Sequence, residues 1–160
     1  MMQPKKKSYT VQEALKAMEH YCAYQERCHK EVETKLRNIG MFQDAQDLII
    51  LHLLQENYLN EERFSKAYAR GKFNIKKWGR IRITSELKFR NISAYNIKSA
   101  LKEIEDTVYF ETIETLAQKK WDITRESNHF KKKKKVIDFL LRRGFESALV
   151  FEITREFNDE

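Results

Sequence analysis

Residues 83–97 read Ile83-Thr84-Ser85-Glu86-Leu87-Lys88-Phe89-Arg90-Asn91-Ile92-Ser93-Ala94-Tyr95-Asn96-Ile97. Leu87 is followed four residues later by Asn91, and then by apolar Ile92. Asn and Gly best tolerate the left-handed backbone just past a helix end, and an apolar residue after them packs back on the last turn. Ser93 stands where it can N-cap the helix that follows. The run therefore predicts a helix, a tight turn and a second helix.

The same local pattern occurs twice more, at Leu36 with Gly40 and Met41, and at Leu140 with Gly144 and Phe145. Gly40 to Asn91 is 51 residues and Asn91 to Gly144 is 53. A near-constant period of this length marks tandem structural units. Asp44 is expected to N-cap in the first unit as Ser93 does in the second, and Asn60 to start the second unit, with Glu61 and Glu62 complementing the helix dipole.

Apolar spacing supports helices on both sides of each turn. Val11, Ala14, Leu15, Met18 and Cys22 keep the helical period, as do Val32, Leu36 and Ile39, then Ala45, Leu48, Ile49 and Leu53. Phe64, Ala67, Tyr68 and Gly71 form one stripe in the second unit, followed by Ile83 with Leu87, and by Ile97, Ala100, Leu101 and Ile104. In the third, Phe110, Ile113, Leu116 and Ala117 precede Val136, Ile137, Leu140 and Leu141, then Leu149, Ile153 and Phe157. The expected fold is all-α: nine helices in three tandem three-helix repeats, stacked into an elongated array that can curve. The boundaries are a basic N-terminal tail at 1–7 and repeats at 8–58, 59–106 and 107–160.

Composition points the same way. Sandwiches and barrels need a turn every 8 to 12 residues, usually written with Gly or Pro. The chain has one proline, Pro4, and four glycines in 160 residues. Hydrophobic residues make up 41% and charged residues 34%, so the aromatics must carry much of the burial. No run of roughly 18 apolar residues could cross a membrane. Lys5, Lys6 and Lys7 are followed by no apolar signal-peptide core. The expectation is a cytoplasmic protein whose Cys22 and Cys28 are reduced thiols.

The formal charge of +7 is unevenly distributed. Residues 63–90 hold ten Lys or Arg against one acid, Glu86, and residues 119–143 hold ten against three. Two positive zones on a mildly acidic body call for a polyanionic or acidic partner.

The central unit carries a longer motif. It reads Tyr58-Leu59-Asn60-Glu61-Glu62-Arg63-Phe64, then Ala67-Tyr68-Ala69-Arg70-Gly71-Lys72-Phe73, then Lys76-Lys77-Trp78-Gly79-Arg80-Ile81-Arg82-Ile83, with Glu86-Leu87 and Arg90 beyond. This resembles the RecX family, in which an acidic dipeptide and an aromatic lead to a basic second helix containing Trp-Gly-Arg. The three tandem units extend the resemblance over nearly the whole chain. Asn91 stands where the family usually has glycine, and Lys131 to Lys135 is a heavier lysine run than the pattern requires.

The resemblance implies a regulator of homologous recombination that binds the RecA recombinase filament and restrains its ATP hydrolysis, strand exchange and co-protease activity. On that reading the partner-facing residues are Arg63, Tyr68, Arg70, Lys72, Lys76, Lys77, Arg80, Arg82 and Arg90. Arginine suits bidentate contact with carboxylate or phosphate, and several of these cations flank the stretch from Gly71 to Asn74. Tyr68 and Trp78 are first of all expected to pack between helices. Trp78 beside Gly79 can instead permit close helix approach and orient Arg80.

Lys131, Lys132, Lys133, Lys134 and Lys135, with Arg142 and Arg143, are either a solvated helix surface or a set of phosphate contacts. A direct, sequence-nonspecific nucleic-acid binder and a helical adaptor for another acidic protein stand as alternatives. His20, Cys22, Cys28 and His29 lack zinc-ligand spacing, no glycine-rich phosphate loop exists, and no nucleophile sits in a catalytic setting. No enzyme, no metal and no cofactor are expected, and the protein is expected to be a monomer.

Overall fold

The structure, a computed structural model, describes residues 8–155 and Phe157; the basic tail expected at 1–7 lies outside them. The described residues form nine helices and no strand. The first triplet is α1 (Val11–Tyr24), α2 (His29–Asn38) and α3 (Gln43–Gln55). The second is α4 (Glu61–Asn74), α5 (Arg80–Phe89) and α6 (Ala94–Leu101). The third is α7 (Asp106–Ile123), α8 (His129–Arg142) and α9 (Ser147–Thr154). Helices pack chiefly within their own triplet, α4 on α6 most extensively.

The three turns found in the sequence are built alike. Met41 N–H donates to the Leu36 carbonyl, Ile92 N–H to that of Leu87, and Phe145 N–H to that of Leu140. Gly40 (φ +86°), Asn91 (φ +59°) and Gly144 (φ +91°) take the left-handed backbone at the same place. This is the Schellman arrangement, which satisfies carbonyls that the helix end would leave orphaned. Asn57 closes α3 in the same way.

Helix starts follow the sequence less evenly. Thr10 and Glu13 form a reciprocal capping box on α1. Asn60, Ser93 and Asn128 accept from the third backbone N–H of α4, α6 and α8. Asp44 does not cap α3: the helix starts two residues earlier, Phe42 holds the N-cap position, and Asp44 is left in the first turn, where its charge complements the dipole. Gly71 likewise lies inside α4, which runs on to Asn74, so the turn among the basic residues is at 75–79.

Burial divides the array unequally. Ala14, Met18, Cys22, Val32, Leu36, Ile49, Leu53 and Leu59 form a core of their own in the first triplet. The second and third triplets share one continuous core, running from Phe64 and Phe73 through Ile83 and Leu87 to Tyr109, Ile113, Leu140 and Phe145. Tyr109 makes the bridge, with its ring centroid 5.7 Å from that of Phe73 and 5.6 Å from that of Phe145. The α7 stripe keeps the expected Ile113 and Ala117 but begins one residue earlier: Tyr109 is buried where Phe110 was expected, and Phe110 is exposed.

Burial pushes the Cys28 thiol up to about 12 and the Cys22 thiol up to about 11. Both therefore behave as small core hydrophobes at neutral pH. No helix among the described residues is long and apolar enough to cross a membrane.

Candidate binding surface

The Trp78-Gly79-Arg80 stretch joins two triplets. Gly79 N-caps α5 and offers no side-chain cap, so the first backbone donors of that helix look outside it. The third triplet answers them. Gly79 N–H donates to the Arg143 carbonyl at 2.7 Å and Ile81 N–H to that of Gly144 at 3.0 Å. Arg80 N–H donates to the Tyr109 hydroxyl at 3.1 Å, and that hydroxyl donates in turn to Glu146. A Cβ on Gly79 would lie 2.3 Å from the Gly144 backbone, and one on Gly144 would lie 2.3 Å from the Arg82 Cβ. The two glycines let the backbones meet.

Arg80 is engaged in the same junction. Its guanidinium reaches Asp106 at 2.6 Å and Glu146 at 3.2 Å and lies 3.9 Å from the Tyr109 ring centroid. Burial and the carboxylate of Glu146 both hold the Tyr109 hydroxyl well above its ordinary range, so it stays protonated and able to donate.

The junction of the first and second triplets uses the same places with different chemistry. His29 N–H at the start of α2 donates to Glu61 at 3.3 Å, and the Lys30 ammonium donates to the Phe89 carbonyl at 2.7 Å. Arg63 is held at this seam by Glu26 at 2.5 Å. Arg70 lies on the α6 side of α4 and pairs with Glu103 at 3.4 Å. These two cations and Arg80 are thus drawn into contacts within the chain.

Three of the remaining central cations, Lys72, Arg82 and Arg90, gather over aromatic rings. The Arg90 guanidinium lies 4.9 Å from the Tyr68 centroid, with its charge shared by Glu86 at 3.0 Å. The Lys72 ammonium lies 5.4 Å from the Tyr68 centroid and 4.9 Å from that of Trp78. Arg82 lies 4.1 Å from the Trp78 centroid. Tyr68 and Trp78 meet edge to face at 6.5 Å. A row results, reading Arg90, Tyr68, Lys72, Trp78, Arg82, in which each ring positions the charged heads beside it. Such contacts are worth about 0.5–1 kcal/mol each when exposed. Burial raises the Tyr68 phenol above its ordinary value, so it remains neutral in this company.

The glycine junction carries the row into the third triplet. Arg82 stands against Gly144, next to Arg143. The Arg143 guanidinium donates to the Lys76 carbonyl at 2.6 Å and lies 5.0 Å from the Phe139 centroid. Lys120 approaches the same ring at 5.1 Å. The two basic zones of the sequence, 53 residues apart at their turns, thus form one ribbon. Among the described residues, Lys72, Lys76, Lys77, Arg82, Arg142 and Arg143 form no ion pair with a carboxylate. Lys77 takes a left-handed backbone (φ +56°) that closes the end of α4.

The lysine run opens α8 and spreads around it. Lys132 sits 4.3 Å from the Trp121 centroid, and Lys135 pairs with Glu126 at 3.2 Å. Lys131 and Lys134 are exposed and Lys133 is half-buried. Trp121 is in turn stacked on Phe157 at 5.0 Å. Trp78, Phe139 and Lys120 belong to the ribbon and were not singled out as partner-facing by sequence reasoning. The i, i+4 spacing of Phe139 and Arg143 was the available signal. No group of three or more metal-ligating side chains comes together among the described residues.

Two models of one family match the chain. The second three-helix domain of RecX matches residues 60–101, and the third three-helix domain of RecX matches residues 107–154. Over 150 residues the chain is 27% identical to the regulatory protein RecX of Bacillus cytotoxicus, covering 94% of this chain and 56% of that protein. It is 23% identical over 149 residues to the regulatory protein RecX of Oceanobacillus iheyensis, covering 93% and 55%. The chain thus spans just over half the length of the curated relatives it matches. The crystal structure of RecX from Lactobacillus salivarius is similar with a TM-score of 0.80 at 27% identity, over 92% of this chain and 96% of that one. Another RecX crystal structure, 24% identical, has the same fold with a TM-score of 0.82 over 91% of this chain and 73% of that one. The two domain models follow each other as α4–α6 and α7–α9 do and together take in more than half of the sequence: the chain belongs to the RecX family.

Proposed function

We propose that this protein is a non-enzymatic, cytoplasmic regulator of recombination and DNA repair that binds the RecA–single-stranded-DNA filament and inhibits its ATPase, strand-exchange and co-protease activities. The observation that supports this most is the cationic ribbon running from Arg90 through Lys72, Arg82 and Arg143, set on two triplets that the glycine junction fixes in one frame. A filament repeats its protomers along an axis, and a ribbon spanning two units can touch neighbouring protomers at once. Bridging them would hinder the motions that accompany ATP turnover, and occupying the groove would exclude a second strand.

The chemistry of the ribbon selects anions. Its ring faces carry Lys72, Arg82 and Arg90, so they are poorly placed to stack bases, as aromatic platforms for single strands do. The charged heads remain available for carboxylate and phosphate. Acidic recombinase surface and DNA backbone are both suitable, which gives direct DNA contact a subsidiary place. Lys131, Lys132, Lys133, Lys134 and Arg142 extend the same charge along α8.

Co-sedimentation with assembled filament and with naked single-stranded DNA tests this reading. Tighter binding to filament, weakened in a Lys72→Ala, Lys76→Ala, Arg82→Ala variant and retained in Arg70→Ala, is the expected result. Equal binding to naked strands, with a salt slope of about 0.7 per phosphate contact, would replace it with direct nucleic-acid binding.

A further inference from the structure

α3 is apolar on both sides. Gln46, Ile49 and Leu53 turn inward and are buried. Leu48, Leu51 and Leu54 stand on the outer side, 64%, 50% and 40% exposed. They recur every third residue, so they adjoin one another along the face of the helix. Single exposed leucines need no explanation, but a contiguous row of them marks an interaction surface.

The row is peculiar to the first triplet. Counted from the left-handed residue of each turn, Gly40, Asn91 and Gly144, Leu48 corresponds to Ser99 and Glu152, and Leu51 to Lys102 and Arg155. The repeat itself therefore does not require leucine at either position. The charge around the row is equally distinctive. Between Arg37 and Arg63 the sequence has no Lys or Arg and five Asp or Glu, in a chain of net charge +7. Asp44 and Asp47, both exposed, lie one helical turn from Leu48 and Leu51, and exposed Glu56 caps the end of α3 just past Leu54. Among the described residues these three carboxylates form no ion pair.

We propose that the outer face of α3 docks a cationic amphipathic helix of a partner protein, whose apolar stripe covers Leu48, Leu51 and Leu54 and whose Lys or Arg flank meets Asp44, Asp47 and Glu56. Charge selects this occupant. A second copy of α3 would set the same carboxylates against one another with no Lys or Arg on either helix to offset them. Nucleic acid and an anionic lipid surface carry the wrong sign for this face. A helix is the form the row fits, because a helical row of side chains packs into the grooves of another helix, with anchors at the same three- and four-residue spacing. α3 packs chiefly on α1 and α2 and carries no residue of the cationic ribbon. The two faces can thus be occupied together, and the inference does not depend on what the ribbon binds.

Fluorescence anisotropy of a labelled Leu/Lys peptide of about 18 residues, five helical turns with the leucines on one face, tests the proposal on the full chain without recombinase or DNA. The peptide should bind, and a Ser/Lys peptide of equal charge should bind about tenfold more weakly or worse. Leu48→Ser with Leu51→Ser, both at exposed positions, should weaken binding of the Leu/Lys peptide by about tenfold while the circular dichroism stays that of wild type. Asp44→Asn with Asp47→Asn should weaken it too and flatten its dependence on salt. Tyr95→Ser, at an exposed aromatic of α6, and the Lys72→Ala, Lys76→Ala, Arg82→Ala variant should bind it no more weakly than wild type. No binding of the Leu/Lys peptide, undiminished binding by the Leu48→Ser, Leu51→Ser variant, or equal binding of the Ser/Lys peptide would each overturn the proposal. Self-association of the wild-type chain that the same double variant abolishes would overturn it as well, by assigning the face to a second copy.

Discussion

Replacing Gly79 with alanine tests the physical basis of the ribbon. The new methyl carbon would lie 2.3 Å from the Gly144 carbonyl carbon and oxygen and 2.4 Å from the Phe145 nitrogen. All three are backbone atoms, so no side chain can rotate away, and the second and third triplets must part by about 1 Å to reach ordinary contact. That movement breaks the bonds from Gly79 and Ile81 N–H to the third triplet, each worth about 0.5–1.5 kcal/mol net. The expected loss is about 1–3 kcal/mol, in the range for overpacking, with Tm lowered by roughly 4 °C or more for a cooperative block of about 100 residues.

Gly71→Ala is the internal control. It lies inside α4 with nothing within 4 Å of a Cβ, and should stabilise by about 0.5–1 kcal/mol by removing backbone freedom from the unfolded chain. Urea unfolding followed by circular dichroism gives the energies, and small-angle scattering gives the spacing of the triplets. If Gly79→Ala matches wild type in both, or if Gly71→Ala loses more stability than Gly79→Ala, the close approach of the two glycines is not what holds the triplets together.

Tyr109→Phe should cost about 1–3 kcal/mol, because it leaves the Arg80 amide without its acceptor and takes from Glu146 Oε1 its hydroxyl donor; chemical denaturation reads this directly, and an unchanged midpoint would contradict it. Leu87→Ala, at a fully buried position in the shared core, should cost about 2–5 kcal/mol in the same assay. Stability should also fall at high pH. Cys22 and Cys28 have folded pKa values raised to about 11 and about 12, so their contribution is complete below the unfolded value near 9 and is lost as pH rises through the folded values. A stability curve that stays flat from pH 9 to 12, or thiols that react with a thiol reagent at pH 8 as fast as free cysteine, would refute that burial.

Much of the fold was legible because it is written in local chemistry. Leu36 with Gly40, Leu87 with Asn91 and Leu140 with Gly144 announce helix ends through a backbone conformation that few residues accept. The boundaries of α3 and α4 were less legible: Asp44 and Gly71 both suit helix ends, and packing placed them inside helices instead. The candidate site was readable as charge but not as partnership. Lys72 and Arg80 look equivalent in a basic run, yet one stands over Trp78 and the other is bound to Asp106 and Glu146. That distinction depends on contacts 26 and 66 residues away in sequence, which no local pattern encodes. Tyr109 is the clearest case. Its neighbour Phe110 fits the apolar stripe as well, and only the need to bridge Phe73 and Phe145 selects one over the other.

The central claim is tested most directly by the single-stranded-DNA-dependent ATPase of the cognate RecA, with the protein titrated in below one molecule per recombinase protomer. Inhibition at such ratios, lost in the Lys72→Ala, Lys76→Ala, Arg82→Ala variant and preserved in Arg70→Ala, is the result the ribbon predicts. Full inhibition by the triple variant would remove the ribbon from the mechanism, and no inhibition by the wild-type protein at any ratio would contradict the account as a whole.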